Sequence, residues 1–307
     1  MDFSLFITQS LNGVQLGVLL FLLASGLTLI FGIMDFVNLA HGSLYMLGAF
    51  FCATFTQWTD SFLLGTLLAL PSLALSGLLL ELLIVRHLYQ RDHLDHVLAT
   101  FGLILCFDTL VQIVWGPQGM SIALPDALNG QLRILPGIDF PTYRLLIIAV
   151  GLAVALGLYL LVNHTRLGML IRAGASNRTM VSALGVNIQA LFGLVFALGA
   201  MLAGLAGLMI APITEASIGM GNDIIILAFV VIVIGGIGSI KGAFIAALII
   251  GLIDTMGRSF LDDVLKLFLA DQNAETAAPA LSAMLIYILM AIILALRPQG
   301  LFGPRER

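Results

Sequence analysis

The sequence predicts an all-α polytopic membrane protein. Three observations carry this: 60% of the 307 residues are hydrophobic, only 10% are charged, and the apolar residues gather into long runs. The mean hydropathy is +1.11, whereas an average soluble domain carries about 25% charged residues. The net charge of −4 rests on too few ionisable groups to point to acidic or basic partners, and no basic face exists for nucleic acid. Cys52 and Cys106 both lie in apolar runs, where small buried hydrophobes are expected in place of a disulfide.

The first residues, MDFSLFITQS, contain an acid and no Lys or Arg. They lack the charged start of a cleaved signal, so the first apolar segment is expected to be retained. Val14–Ile33 is twenty residues without a charge, enough for one crossing of a hydrocarbon core about 30 Å thick. Asp35, Asn38 and His41 interrupt, and Leu44–Thr56 is only thirteen residues, short for a span. Phe62–Val85 carries a single acid, Glu81, and leads into the loop RHLYQRDHLDH. Val97–Val114 contains Asp108 and Gln112, and the Pro- and Gly-rich loop 116–142 follows it. Leu145–Val162 leads into a basic stretch, 164–187, and Ile188–Ile210 leads out.

Further on, Ile224–Ile234 and Ala243–Ile253 are eleven residues each, joined by Gly235, Gly236, Gly238 and Gly242. This spacing predicts discontinuous helices, whose freed backbone groups survive at membrane depth only where protein or a water-filled cavity satisfies them. A polar stretch, Arg258–Thr276, precedes the last span, Ala280–Leu296, and the tail RPQGLFGPRER. The total is about eight or nine membrane segments in one domain.

Basic residues set the expected orientation. If the loop after Val85, the basic stretch, Lys241 and the tail share one side, that side holds Arg86, Arg91, Arg166, Arg172, Arg178, Lys241, Arg297, Arg305 and Arg307, nine of the thirteen Lys and Arg. The positive-inside rule places it in the cytoplasm, with Arg133, Arg144, Arg258 and Lys266 opposite and 116–142 an extracytoplasmic loop. Reading Leu44–Thr56 as a full span puts the N-terminus outside; a re-entrant reading puts it inside. His41-Gly42-Ser43-Leu44 resembles Ile237-Gly238-Ser239-Ile240, each beside a shortened run, a pattern compatible with an inverted repeat.

Candidate functional residues follow from chemistry out of place. No G-x-x-x-x-G-K-[ST] loop exists, since Ile240 precedes Lys241 and Gly242 follows it, and G-x-S-x-G, H-E-x-x-H and C-x-x-C are absent too. Any energy for work comes from a partner or an ion gradient, and no catalytic or metal site is assigned. His87, His93 and His96 read as a solvated loop before they read as ligands. Glu81, Asp108 and Asp254 allow a proton relay or substrate contact, or else helix-end placement and pairing within a bundle. Asn38, His41, Gly42 and Ser43, with Gly235, Gly236 and Gly238 in the second break, either line a translocation path or bracket broken helices by hydrogen bonds. Gly199, Ala203 and Gly207 form a small-residue face suited to close helix contact.

The stretch Thr165–Asn187, TRLGMLIRAGASNRTMVSALGVN, carries Arg166, Arg172 and Arg178 and no acid. Ser176 or Asn177 can cap a short helix running through Leu184, and Gly185 supplies its terminator. Met180, Val181 and Leu184 lie on one apolar face, which fits a partner's groove or a lipid headgroup layer.

NGVQLG at Asn12–Gly17, GLTLIFGIMDFVNLAHGSLYMLGA at Gly26–Ala49, the Thr165–Asn187 stretch, IGGIGSIKGA at Ile234–Ala243 and RPQGLFG at Arg297–Gly303 together resemble the permease subunits of ABC importers for branched-chain amino acids, in particular the LivH-type subunit. The resemblance implies a permease of the bacterial cytoplasmic membrane that works with a second, LivM-type permease, two cytoplasmic ATPase subunits holding ATP and Mg, and an extracytoplasmic substrate-binding protein. It also implies that 164–187 is the ATPase-coupling segment, with Arg166, Arg172, Ser176, Asn177, Arg178, Met180, Leu184 and Gly185 as its working residues. The cargo implied is a small organic solute, a branched-chain or other amino acid, with urea, amides and aromatic or other organic acids also carried within the family. An ion-coupled secondary transporter is the rival from another class.

Overall fold

The computed structural model describes residues 3–268 and 271–303. Among them are eleven α-helices and a two-stranded hairpin: α1 Phe3–Met34, α2 His41–Thr59, α3 Phe62–Leu83, α4 His93–Trp115, β1 Gln131–Leu135, β2 Ile138–Pro141, α5 Thr142–His164, α6 Arg166–Ser176, α7 Arg178–Ala183, α8 Ile188–Thr214, α9 Met220–Gly235, α10 Ile240–Leu265 and α11 Asp271–Leu296, with one 3-10 turn at Val85–Leu88. Seven of the helices, α1, α3, α4, α5, α8, α10 and α11, are long and apolar enough to cross a membrane. The chain is a multi-pass, all-α membrane protein.

Side-chain oxygens at the loop boundaries start several helices. Ser61 accepts from the Leu64 N–H, Asn187 from that of Ala190 and Ser239 from that of Gly242, each satisfying a donor the first turn leaves unpaired. Two segments depart from the expected lengths. The run that opens α10 does not stop at Ile253 but continues to Leu265, because Asp254 is neutralised one turn on by Arg258 at 3.0 Å. Of the two helices that flank the second break, α9, at 16 residues, is the short one. Leu44–Thr56 is likewise the inner part of a 19-residue helix that begins at His41, and His41 lies inside the bundle beside Leu23 of α1.

Helix α1 lies at the centre, with 83% of its most apolar window buried, against 11% for α11, 17% for α5 and 22% for α4 at the rim. Its neighbours are α10, α8, α5 and α9, and α2 packs on α8 and α3. These inner crossings are made backbone against backbone. A Cβ on Gly48 would strike the Gly204 backbone, one on Gly207 would strike the Tyr45 carbonyl, and one on Gly42 would strike the carbonyl of Gly221. Gly199 meets Ile30 and the backbone of Gly26 in the same manner, so the small-residue face of α8 is a helix-contact surface.

The loops gather at two ends. One end brings together the α1–α2 break, the loop 84–92, α6–α7, the α9–α10 break and the tail. The other holds the start of α1, the α2–α3 turn and 116–142, tied by Arg144 to Asn12 at 2.6 Å, Trp115 to Thr54 at 2.7 Å and Tyr143 to the Met209 carbonyl at 2.7 Å. The start of α1 therefore lies on the side opposite the basic stretch. The loop 116–142 is not wholly irregular: β1 and β2 pair antiparallel around Pro136-Gly137, with Gly137 at φ +86°. Ile138 and Phe140 are buried while every residue of β1 is exposed.

We expect Gly207→Val to lower stability in detergent by about 3 kcal/mol, the upper range for an overfilled contact, read as a fall in the thermal midpoint. Gly157→Ala is the control, because no atom lies within 4 Å of the new methyl; it should be neutral or stabilise by up to about 1 kcal/mol.

Candidate coupling segment and helix breaks

The basic stretch folds as a helix, a corner and a second helix. Thr165 caps α6 by accepting from the Gly168 N–H at 3.1 Å, and Gly168 lies directly on the carbonyls of Leu161 and Val162, which only a glycine permits. Asn177 ends α6 and caps α7, its Oδ1 accepting from the Met180 N–H at 2.9 Å. Of the two candidate caps, Ser176 is the last residue of α6 and takes no capping role. Gly185 turns the chain at φ +86°, its N–H bonded to the Ser182 carbonyl at 2.9 Å.

The three apolar residues expected on one face of α7 are divided. Val181 is buried against the bundle, while Met180 is 59% and Leu184 76% exposed. The reason is the rotation of α7, a short helix whose buried residue is Val181 and which follows α6, itself anchored through Gly168, Ile171 and Gly174. The arginines divide as well. Arg166 and Arg172 are exposed, whereas Arg178 is half-buried with its guanidinium 5.8 Å from the Phe192 ring centroid.

The first break lies inside the bundle. Asn38, His41, Gly42 and Ser43 are all buried, and His41 Nε2 lies 3.2 Å from the Leu23 carbonyl of α1. The Asn38 amide and Ser43 hydroxyl have no hydrogen-bond partner among the described residues. Asp35, at φ +52°, starts the break and faces His93 at 3.8 Å. His96 points to the Leu88 carbonyl at 2.9 Å instead of sharing a ligand with His93.

In the second break, Gly235 lies on the backbone of Gly242, and Gly236, at φ +96°, lies on Gly303 and the Gln299 carbonyl. The tail closes it: the Leu301 N–H donates to the Ile234 carbonyl at 2.8 Å and the Phe302 N–H to that of Gly235 at 3.0 Å. These bonds satisfy two carbonyls that the end of α9 leaves free. Gly238 faces Gly32 of α1. A cleft of about 650 Å³ separates the two breaks, bordered by Asp35, Ala175, Arg178, Ser239 and Phe302.

Glu81, Asp108 and Asp254 each accept a hydrogen bond from a neighbouring side chain. Glu81, fully buried, accepts from Arg86 at 3.1 Å and from the Tyr89 hydroxyl at 2.7 Å. Burial, first, and then the hydrogen bond to Glu81 raise the Tyr89 phenol above its ordinary pKa, so it stays a donor. Asp108 accepts from the Asn222 amide at 3.3 Å. Neither the hairpin nor the Glu81 cluster was read from the sequence; Pro136-Gly137 between two β-prone runs is the one local signal for the former.

Replacing Asn177 by Ala should cost α7 about 1 kcal/mol of local stability, seen as faster amide exchange at Met180 and Val181, with Asn177→Asp retaining protection.

Comparison with known proteins gives a consistent result. Residues 9–294 match the family described as branched-chain amino acid transport system / permease component. The chain is 28% identical to the high-affinity branched-chain amino acid transport system permease protein LivH of Salmonella typhimurium, covering 99% of this chain and 98% of that one. It is 27% identical to BraD of Pseudomonas aeruginosa, over 98% and 97%, and 30% identical to a probable LivH of Methanocaldococcus jannaschii, over 78% and 76%. No solved structure matches the chain. With residues 9–294 matched and relatives aligned over nearly the full length, the chain belongs to the branched-chain amino acid transport system permease family.

Proposed function

We propose that this chain is the LivH-type permease subunit of an ABC importer in the cytoplasmic membrane, carrying branched-chain amino acids delivered by an extracytoplasmic binding protein. Its partners in this reading are a LivM-type permease and two ATPase subunits that hold ATP and Mg. The observation that carries the reading is the exposed face of the basic corner. Met169, Met180 and Leu184 are 55%, 59% and 76% exposed beside the exposed Arg172, while the opposite side is rooted in the bundle. Apolar anchors ringed by an arginine suit a groove with an acidic rim. Arg86, Arg91, Arg166, Arg172, Arg178, Lys241 and Arg297 share that end, which the positive-inside rule assigns to the cytoplasm; Arg305 and Arg307 lie outside the described residues. The N-terminal end of α1 is then extracytoplasmic.

In the cycle, ATP binding and hydrolysis by the partners move the corner. The corner tilts α5 and α8, which flank it, and the breaks at Asn38–Ser43 and Gly235–Gly238 act as hinges that open or close the path. The burial of Asn38, His41, Gly42, Ser43, Gly235 and Gly236 supports hinge action over direct contact with cargo at these positions, while Gly238 is exposed in the cleft.

Arg172→Glu combined with Leu184→Asp should lower substrate-stimulated ATPase activity of the reconstituted complex about ten-fold or more, the scale of losing a central interface anchor, with insertion unchanged. Full stimulation would overturn docking through this face. Uptake by the chain alone, driven by an ion gradient and insensitive to vanadate, would overturn the importer reading. For the cargo, the cognate binding protein should hold Leu, Ile and Val at least about ten-fold more tightly than amides or aromatic acids; the reverse order would reassign the substrate.

A further inference from the structure

A continuous line of contacts joins the basic corner to the α1–α2 break. The Arg178 guanidinium sits 5.8 Å from the centroid of Phe192 on α8. Phe192 meets Tyr89 edge-on, with centroids 5.1 Å apart and planes at 80°. The Tyr89 ring meets Phe36 at 6.5 Å and 90°, and Phe36, fully buried in the break, leans on His96 at 4.6 Å. Tyr89 is held in the middle: its hydroxyl is bonded to Glu81 of α3, and the same carboxylate is gripped by Arg86. Freeing such a buried carboxylate from its partners is strongly unfavourable, so Tyr89 moves with the end of α3 and not as a loose loop residue.

Arg178, Phe192, Tyr89 and Phe36 come from four separate segments, α7, α8, the loop 84–92 and the break. Edge-on rings in contact resist compression, because an interior at crystal-like density has no slack to absorb a shift. A displacement of α7 therefore has a short path to Phe36, which lies beside Asp35 at φ +52° and just before the stretch where the helical ladder is interrupted. We propose that Tyr89, seated on Glu81, is a positioning residue of the transport cycle, the rigid link that carries motion of α7 through Phe192 to the α1–α2 break. The proposal rests on the reading that α6–α7 dock the ATPases.

The test uses the complete importer, permeases, ATPases and binding protein, in liposomes with internal ATP, compared at equal amounts of assembled complex. The readout is substrate transported per ATP hydrolysed, beside basal ATPase activity. Tyr89→Leu and Phe192→Leu should each lower the transport ratio about five-fold, the scale of a contact that modulates coupling, with basal hydrolysis within about two-fold of the unaltered complex. Tyr89→Phe keeps both ring contacts and should retain at least about half the ratio. The double variant Tyr89→Leu with Phe192→Leu should be no worse than the poorer single, since both interrupt one line. An unchanged ratio in both leucine variants, additive losses in the double, or a Tyr89→Phe loss equal to that of Tyr89→Leu would overturn the link. Should Tyr89→Leu not assemble, Phe192→Leu decides by the same ratio. An unaltered complex without ATP-driven transport would instead sink the importer reading itself, so the two failures are distinguishable.

Discussion

Everything in this molecule depends on how closely helix backbones approach one another at its centre. Lipid tails are as apolar as leucine, so burying apolar side chains gives membrane helices little reason to associate; close van der Waals contact has to do it. The contacts of Gly48 with Gly204, Gly207 with Tyr45, Gly42 with Gly221 and Gly235 with Gly242 bring α2, α8, α9 and α10 together at distances no larger residue allows. Around this dense centre the rim helices α4, α5 and α11 remain largely uncovered. Such a division leaves broad faces for lipid or for partner subunits while the interior stays rigid.

A rigid interior gives the two breaks their meaning. Irregular backbone at membrane depth is costly unless its polar groups find partners. At the second break the tail supplies them, through the bonds of Leu301 and Phe302 to the end of α9. At the first break His41 reaches the Leu23 carbonyl, while the buried Asn38 amide and Ser43 hydroxyl have no partner among the described residues. Both breaks border one cleft with the basic corner, so the places where the chain has least regular hydrogen bonding adjoin the place proposed to receive force. Low local stability beside a rigid core is the arrangement that moving parts require.

The intramembrane acids illustrate how structure changes the meaning of a residue. Glu81 in an apolar span is, by composition, a candidate for proton handling. Seated between Arg86 and Tyr89, it is an anchor whose charge is answered on the spot. Asp254 is answered by Arg258 in the same way. In both, the structure shows the pairing within the bundle that the sequence allowed.

The sequence by itself determined the membrane class, the order of the spans, the basic corner between α5 and α8, the Gly185 terminator and the family blocks. These follow from hydropathy, charge and capping, which act between residues near each other in the chain. Only the tertiary structure decided that α10 is long, that α2 begins inside the bundle beside α1, that Asn177 and not Ser176 is the cap, and that Val181 turns inward while Met180 and Leu184 turn out. The same holds for the burial of Asn38 to Ser43, the docking of the tail on Gly235 and Gly236, and the meeting of Tyr89 with Phe192. Each is set by contacts between segments distant in the chain, and a local pattern of polar and apolar residues carries no record of which distant surface will press against it.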